Sequence, residues 1–590
     1  MSGERVSRLK LWREILHRNP PPPWLGLLIA VVPAILLLPQ IVLNWVNIPW
    51  GDEWDTANVR IKFHDGALST ADLFAQHNEH RFFFARLLWA PLARVTHWDL
   101  RVEMLLTFAA ACLISWLLWK LLGNIPRLER HARVTAFLIV NSLLFSPTQY
   151  ETWLWGINFT HIIPPLLLLV SLRVNLSRRS LPEKVVLNIL LCSVSTFSNS
   201  NGMGNWLLAF PAFAPGRAAE NKSRWPCYVL YVAAAAAVLA AYFWDYHRPP
   251  HHPSLLSALA MPWQLAHYFF CWLGASVAVN FGFDAWIAGA GLLILFAKLA
   301  CYPVGGWSES WRARYPFVVL GAFALLSGSA TALGRTAFDS RTSLSSHYIT
   351  SSVYFPIALV GVATVVHATR GSTAGQNQRG IIALPIITVT VVWVLFLSTY
   401  YSGWQGMKRT KNLRVEGQAA LAFQEIIPDN PQLELLYPDR DWLLRQYGEL
   451  RRCGLIATSA VPRSLVSKLV PDANPNVSSG SIETCRFERN KLRLNGWAVD
   501  EFRQPAPFVL FTYRTDEVPA VPFAVAPTGR TTRRLERKGL RNRGFNVRVR
   551  ADLLPQGAEV IAWAVDPARS RVWQIGPPRF AQSSRAKTSH

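Results

Sequence analysis

The chain has 590 residues, 51% of them hydrophobic, with 25 tryptophans and a formal net charge of +24. This composition excludes an ordinary soluble enzyme, because a water-soluble domain does not need so many apolar residues. The positive charge does not predict nucleic-acid binding, since many basic residues lie between apolar runs instead of on one soluble face. We therefore expect a polytopic α-helical membrane protein.

Apolar runs of about the length that crosses a bilayer recur through residues 24–400, after a basic N-terminus of residues 1–23. About eleven of them are predicted to be transmembrane helices: 24–46, 100–122, 132–146, 159–173, 185–198, 203–214, 227–244, 284–302, 316–334, 348–368 and 380–400. The short pair around 198–214 is predicted to form a broken hairpin. The run 263–281 is predicted to be interfacial or re-entrant, with a full span as the alternative.

Lysine and arginine concentrate in every second loop, which indicates that these loops face the cytoplasm. The intervening loops are predicted to lie outside: 47–99, 146–158, 198–205, 245–262 and 335–347. This alternation predicts a multi-pass protein of the bacterial inner membrane, with a cytoplasmic N-terminus and a periplasmic tail.

The predicted tail has two parts. Residues 401–483 are expected to form a helical and linker region. Residues 484–590 are expected to form a β-sandwich-like domain, because short β-rich runs alternate there with turn residues. Cys453 and Cys485 lie outside the apolar runs, and an oxidising periplasm would favour a disulfide bond between them.

Three carboxylates open the first predicted outer loop: Asp52, Glu53 and Asp55 follow the first apolar run directly. Apolar surroundings disfavour the ionised form of a carboxylate and make it a better proton acceptor. These acids are therefore candidate general bases for an acceptor hydroxyl. The alternative is that they only solvate the membrane interface or the N-terminus of a helix.

Acids at the start of the first outer loop, on a multi-spanning chain with a periplasmic C-terminal domain, resemble the GT-C superfamily of polyprenyl-phosphate-sugar-dependent glycosyltransferases. The resemblance covers about residues 24–400. It implies that Asp52 or Glu53 is the catalytic base, with Asp55 as the weaker candidate, and that the donor is a sugar on a lipid phosphate. The sequence has no Gly-rich phosphate loop that would indicate a nucleotide donor.

A polar cluster follows in the same loop and contains His77, Glu79, His80 and Arg81. On a helix, His77 and His80 would share one face. These side chains are predicted to hydrogen-bond the sugar hydroxyls or the donor phosphate. The alternative is a divalent metal ion, held by the two imidazoles and one of the acids that open the loop.

The second outer loop surrounds one carboxylate, Glu151, with aromatic and amide side chains that include Gln149 and Asn158. Aromatic rings stack on sugars and amides bind hydroxyls, so these three residues are predicted to contact substrate, with an aromatic interface belt as the alternative. Glu151 is the strongest candidate, because a carboxylate at membrane depth is costly. Asn201, in the broken hairpin, is a further candidate because backbone there would line a cavity.

Arg335, Arg341, His347 and Tyr348 lie between two apolar runs on the predicted outer side. A guanidinium matches phosphate oxygens in bidentate fashion, so Arg335 or Arg341 is predicted to bind the donor phosphate and ease its departure. The alternative is a surface ion pair with Asp339, which would contribute little to stability.

Together these residues predict transfer of a sugar from a polyprenyl-phosphate donor to a periplasmic acceptor, such as a glycolipid or a surface polysaccharide. The tail domain would bind or orient the acceptor. Apart from the alternative divalent ion no cofactor is predicted, and membrane lipids are the other expected partners. The rival functions are a lipid or sugar transporter (flippase), an O-antigen-ligase-like transferase with a pyrophosphate donor, and a non-catalytic sugar-binding scaffold.

Overall fold

The structure is a computed structural model. It describes residues 23–215, 224–249, 255–278, 285–303, 307–337, 340–370, 378–458, 460–470, 479–500, 502–514, 520–530, 533–555 and 557–581. The chain divides into two compact units. The helical unit consists of Met1–Trp45, Leu68–Pro91 and Arg101–Lys408, and the tail unit consists of Val46–Ala67, Leu92–Leu100 and Arg409–His590.

Helices dominate the chain up to residue 422. They are Pro23–Asn44, Ala57–His64, Thr70–Phe74, Phe83–Thr96, Leu100–Leu122, Arg130–Leu144, Tyr150–Leu154, Phe159–Leu176, Leu181–Thr196, Asn205–Leu208, Trp225–Phe243, Leu255–Leu259, Pro262–Ala278, Ala285–Ala300, Trp307–Arg335, Ser346–Ser352, Tyr354–Arg370 and Gln378–Ala422. The last of these contains residue 401, so the predicted start of the tail falls inside a helix.

Six helical stretches of the described residues are long and apolar enough to cross a membrane. They are Gly26–Asn44, Leu100–Leu122, Gly156–Leu176, Trp225–Phe243, Ser310–Arg335 and Ser346–Thr369. Each overlaps a predicted span, which confirms a helical protein with several membrane-type helices. The count of about eleven stays a prediction. The ambiguous run 263–281 contains a helix of 17 residues, Pro262–Ala278.

The predicted span 203–214 is wrong. After helix Leu181–Thr196 the chain forms only short helical turns, Ser200–Gly204, Asn205–Leu208 and Pro211–Phe213. Proline and glycine interrupt the hydrogen-bonding pattern here. A Cβ atom at Gly202 would come within 2.2 Å of the Ser195 carbonyl oxygen, so the turn can fold back on the preceding helix only with glycine at this position.

Basic side chains bind backbone carbonyls at the predicted cytoplasmic end of the helical unit. Arg133 donates to the Trp119 carbonyl at 2.9 Å, and Arg312 donates to the Leu176 carbonyl at 3.3 Å. The last carbonyls of a helix have no partner within the helix and carry partial negative charge. Arg133 and Arg312, each near the start of its own helix, therefore also close the end of a neighbouring helix.

Two β-sheets pack face to face in the tail unit. One sheet has the order Gly480–Glu488, Lys491–Ala498, Gly544–Arg550, and the other has the order Arg579–Phe580, Glu559–Asp566, Phe508–Tyr513, Val521–Pro527, with Arg571–Gln574 paired to Glu559–Asp566. Leu492 and Val547 from the first sheet share a core with Phe511 and Ala562 from the second. Burial alternates along Lys491–Ala498, as expected for a strand with one face in that core. The predicted β-rich C-terminal region is therefore confirmed.

The predicted disulfide bond is wrong, because Cys453 and Cys485 are both free thiols. Cys453 follows helix Arg440–Arg452, and its sulfur lies beside Asp65. Cys485 packs in the core between the two sheets, where burial raises the pKa of its thiol to about 11. Each cysteine thus occupies its own environment within the tail unit.

Candidate active site

Several predicted outer loops of the helical unit meet. The loop after the first span contacts a later loop, where the Ser200 amide donates to His80 Nδ1 at 3.2 Å. It contacts another where the His247 amide donates to Gln76 Oε1 at 3.0 Å. Charge alternation predicts that these loops lie on one side of the membrane.

A group of polar side chains gathers where these loops meet. We call it the outer cluster, and its members are Glu79, His80, Glu151, His161, Arg335, His347 and Tyr348. Arg335 ends the candidate span Ser310–Arg335, and His347 and Tyr348 begin the candidate span Ser346–Thr369. The cluster therefore lies at the ends of membrane-type helices.

Arg335 forms the cationic side of the outer cluster. Its Nη2 atom lies 2.6 Å from Glu79 Oε1, and its Nε atom donates to the Tyr348 hydroxyl at 3.0 Å. About a fifth of the arginine side chain is exposed (22%), so part of it is accessible to an anion. The C-terminal end of a helix also stabilises a cation.

His347 and Glu151 form a second pair in the cluster. His347 Nδ1 lies 2.7 Å from Glu151 Oε2, and the His347 amide donates to the same oxygen at 3.1 Å. The Glu151 amide in turn donates to Ser346 Oγ at 3.1 Å. When Nδ1 carries the imidazole proton, the carboxylate holds it and Nε2 can accept another proton. This pair has the geometry of a general base and its orienting acid.

Helix packing positions the segment that carries Glu151. Helix Tyr150–Leu154 follows a short turn, Pro147–Gln149. A Cβ atom at Gly403 would lie 2.4 Å from backbone atoms of Pro147 and Thr148, so glycine lets helix Gln378–Ala422 come into close contact with this turn.

His161 is a member of the cluster that the sequence reasoning did not identify. Its ring centroid lies 6.1 Å from that of His347 and 6.5 Å from that of His80. It belongs to the candidate span Gly156–Leu176. A histidine in an otherwise apolar span is an available sequence signal, because polar side chains in a membrane are costly.

The polar cluster of the first loop is a hairpin and not a helix. Gln76–His77 pairs antiparallel with His80–Arg81, and Asn78 in the turn has a φ of 48°. Asparagine adopts this left-handed backbone conformation more readily than most other residues. His77 and His80 lie directly opposite each other on the two strands, so they share a face for a different reason than helical spacing.

Some predicted substrate ligands bind the protein's own backbone. Arg81 donates to the carbonyls of Phe74 and Tyr242, both at 2.7 Å, and Gln149 donates to the Leu144 carbonyl at 3.0 Å. Both side chains are buried. These contacts give Arg81 and Gln149 a structural role in fixing the loops, and their predicted contacts with substrate stay predictions.

Three other predicted ligands differ in their surroundings. Asn158 is buried at the end of the turn Gly156–Asn158. Asn201 is half-buried in the turn Ser200–Gly204, with its amide donating to Asn199 Oδ1. The side chain of Arg341 and the whole of Asp339 lie outside the described residues.

The predicted catalytic acids belong to the tail unit, where they form a tight turn. Glu53 is completely buried, and its Oε2 accepts the Trp50 amide at 2.9 Å as the cap of the turn Gly51–Glu53. Asp55 accepts a hydrogen bond from the Tyr437 hydroxyl at 2.6 Å. Burial, followed by this hydrogen bond to Asp55, raises the pKa of Tyr437. Asp52 is half-buried.

Contacts with residues 414–436 hold this acidic turn in place. The Gly51 amide donates to the Leu436 carbonyl at 2.8 Å, and the Trp50 indole donates to the Leu435 carbonyl at 2.9 Å. Arg414 lies over the Trp50 ring at 4.9 Å. Glu53 and Asp55 thus fix the turn, and the catalytic role predicted for Asp52 or Glu53 stays a prediction.

No protein-family model and no curated protein sequence matches this chain. Among solved structures, it is similar to the archaeal oligosaccharyltransferase AglB from Archaeoglobus fulgidus in complex with an inhibitory peptide and a dolichol-phosphate, with a TM-score of 0.33 and 13% sequence identity. The match covers 71% of this chain and 59% of that chain. This chain therefore spans less than two thirds of the length of AglB, and a TM-score this low assigns no function.

Proposed function

We propose that this chain is a membrane glycosyltransferase that moves a sugar from a polyprenyl phosphate to an acceptor outside the cytoplasm, such as a glycolipid or a surface polysaccharide. The observation that carries the proposal is the Glu151–His347 pair, at 2.7 Å, directly beside the Arg335–Tyr348 pair, at 3.0 Å. A proton acceptor, His347, and a partner for an anion, Arg335, are thus next to each other. Lipid-linked donors reach such a site from the surrounding bilayer.

Arg335 is the proposed partner of the donor phosphate. Its ion pair with Glu79 and its hydrogen bond to Tyr348 hold the guanidinium in one orientation before the donor binds. A preorganised cation stabilises the charge that develops on the leaving phosphate more than it stabilises the bound donor. Lysine would supply the charge but not the planar fork of donors.

His347 is the proposed proton acceptor. The acceptor oxygen forms a bond to the anomeric carbon of the sugar, and its proton moves to His347 Nε2. The bond between the anomeric carbon and the phosphate oxygen breaks, and polyprenyl phosphate leaves with the electron pair. Glu151 stabilises the imidazolium that results. The alternative base is Asp52 or Glu53, as the GT-C resemblance implies.

We further propose that the outer cluster faces the periplasm of a bacterium. The support is the alternation of basic loops along the sequence. Arg133 and Arg312 belong to segments predicted to be cytoplasmic, whereas His80 and His347 belong to segments predicted to be on the opposite side. The acceptor would then be a cell-envelope molecule.

Purified full-length protein, incubated with synthetic short-chain polyprenyl-phosphate sugars and an envelope lipid extract, tests the proposal. Wild type should convert the donor to polyprenyl phosphate, and mass spectrometry of the lipid measures this conversion. A parallel reaction uses the same sugars on polyprenyl pyrophosphate. Consumption of the pyrophosphate donor alone would support the O-antigen-ligase-like alternative, and consumption of neither donor would refute glycosyl transfer.

A further inference from the structure

Two helices of the tail unit end at the same place and bring three metal-ligating side chains together there. Helix Ala57–His64 ends with His64 and is followed by Asp65, and helix Arg440–Arg452 is followed by Cys453. One ligand atom from each of His64, Asp65 and Cys453 lies within 4.8 Å of the others. We propose that these three residues bind a zinc ion.

The distances suit a single small cation. Cys453 Sγ lies 4.0 Å from Asp65 Oδ1. In a tetrahedral site with Zn–S of about 2.3 Å and Zn–O of about 2.1 Å, these two ligand atoms are separated by about 3.6 Å. His64 and Asp65 are exposed and can close the remaining gap, whereas Cys453 is buried at 6% exposure and provides a fixed anchor.

The choice of metal follows from the ligand types. A thiolate, an imidazole and a carboxylate together favour zinc over magnesium or calcium, which prefer oxygen ligands. Three protein ligands leave the fourth tetrahedral position for water. Binding releases the Cys453 thiol proton to solvent, because the thiolate is the ligand.

The surroundings of the site favour positive charge. The C-terminal end of a helix carries partial negative charge, and two helices end here.

Arg452 lies on the outer side of the site, with Nη2 at 2.7 Å from Asp65 Oδ2 and Nη1 at 3.1 Å from Asp65 Oδ1. A ligating carboxylate is normally held by such an outer partner, so Arg452 can keep Oδ2 while Oδ1 turns to the metal.

A bound ion would connect segments of the tail unit that are distant in sequence. His64 and Asp65 belong to Val46–Ala67, the segment that carries Asp52, whereas Cys453 belongs to Arg409–His590. The ion would therefore stabilise the position of the acidic turn without taking part in sugar transfer. The inference is independent of the proposed function, since it concerns metal binding alone.

Metal titration of the full-length, tag-free protein in detergent tests the site. After treatment with EDTA, wild type should rebind zinc at one equivalent per chain, measured by elemental mass spectrometry. Cobalt should give the near-ultraviolet charge-transfer band of a thiolate–cobalt bond. Cys453→Ser should lose that band, and His64→Ala should bind zinc at least about tenfold more weakly. Zinc should raise the melting temperature of wild type more than that of His64→Ala.

Cys485→Ser is the matched control, because Cys485 is the other buried cysteine of the tail unit. It should keep the cobalt band and the zinc affinity of wild type. His64→Ala removes an exposed side chain and should fold normally, so a folding defect in Cys453→Ser would not obscure the result. The inference is overturned if wild type retains no zinc, if Cys453→Ser keeps the band, or if His64→Ala binds zinc as wild type does.

Discussion

His347 Nδ1 lies 2.7 Å from Glu151 Oε2, and the backbone amide of His347 lies 3.1 Å from the same oxygen. Both contacts hold His347 against the Glu151 carboxylate, although the two residues are 196 positions apart in the chain. The side chains are 26% and 19% exposed, respectively. Both side chains are therefore partly accessible to a substrate, while the surrounding protein holds them in position.

The first prediction concerns proton transfer. His347→Gln should lower turnover by about 100-fold or more, the usual scale for loss of a general base, with little change in donor affinity. Glu151→Gln should lower it by a smaller factor, because Nε2 remains in place but loses its orienting acid. Single-turnover transfer and donor binding, measured side by side, are the deciding measurements, because loss of the base lowers the rate of the chemical step and leaves donor binding unchanged. His131→Gln, at a surface histidine that is 79% exposed, is the control.

The second prediction concerns the donor phosphate. Arg335→Lys should weaken donor binding and lower turnover, because lysine keeps the charge but cannot bind two phosphate oxygens while it contacts Tyr348. The loss in kcat/KM should be about 10-fold to 100-fold. Arg312→Lys lies near the other end of the same helix, Trp307–Arg335, and should behave as wild type. Unchanged donor affinity in Arg335→Lys would place the phosphate elsewhere.

The third prediction separates Glu53 from Asp52. Glu53→Ala should lower the free energy of unfolding by about 1 kcal/mol or more, because Glu53 caps its turn and is buried. Asp52→Asn should leave stability within about 0.5 kcal/mol, because Asp52 is half-buried at the surface of the turn. Thermal unfolding measures both changes.

The same Asp52→Asn variant decides between the two candidate bases. If His347 accepts the proton, Asp52→Asn should retain most of its turnover. A loss of about 100-fold would instead assign the proton to Asp52, as the GT-C resemblance implies.

The fourth prediction concerns topology. Alkaline phosphatase fused after Gln405 should be active, and a fusion after Ala219 should be inactive, because the enzyme folds only in the periplasm. The alternation of basic loops predicts this result. The reverse pattern of activities would place the outer cluster on the cytoplasmic side.

Hydropathy predicted the positions of the six membrane-type helices among the described residues. The candidate spans overlap predicted ones because a run of apolar residues has one stable arrangement in a bilayer. The prediction failed at 203–214, where the composition is apolar but glycine, proline and asparagine favour short turns. Hydropathy alone does not register this difference.

Loop charge and residue type indicated most members of the outer cluster but not how they pair. Glu79 and Arg335 are 256 positions apart, and no local pattern specifies such a contact. The hairpin at His77 and His80 was not expected because its strands contain only two residues each. His161 was not predicted, because it lies in the first turn of helix Phe159–Leu176 and not in one of the polar outer loops.

The surroundings of the acids were also not predictable from the sequence. Asp52 and Glu53 were equal candidates there and Asp55 a weaker one, but Glu53 caps its own turn and Asp55 binds Tyr437, 382 positions away. The predicted pairing of Cys453 with Cys485 rested on compartment and number alone. Cys485 lies in the core between the two sheets, and the spacing of the cysteines in the sequence does not predict that location.

The most direct test of glycosyl transfer measures conversion of a polyprenyl-phosphate sugar to polyprenyl phosphate by wild type and by the double variant Arg335→Lys/His347→Gln. Both proteins are purified in detergent, supplied with the same envelope lipid extract, and compared by mass spectrometry of the lipid product. We expect wild type to release polyprenyl phosphate with transfer of the sugar to an extracted lipid or polysaccharide. We expect the folded double variant to be slower by about 1,000-fold or more. Equal conversion by the two proteins, or no conversion by wild type across the panel of sugars, would contradict the account.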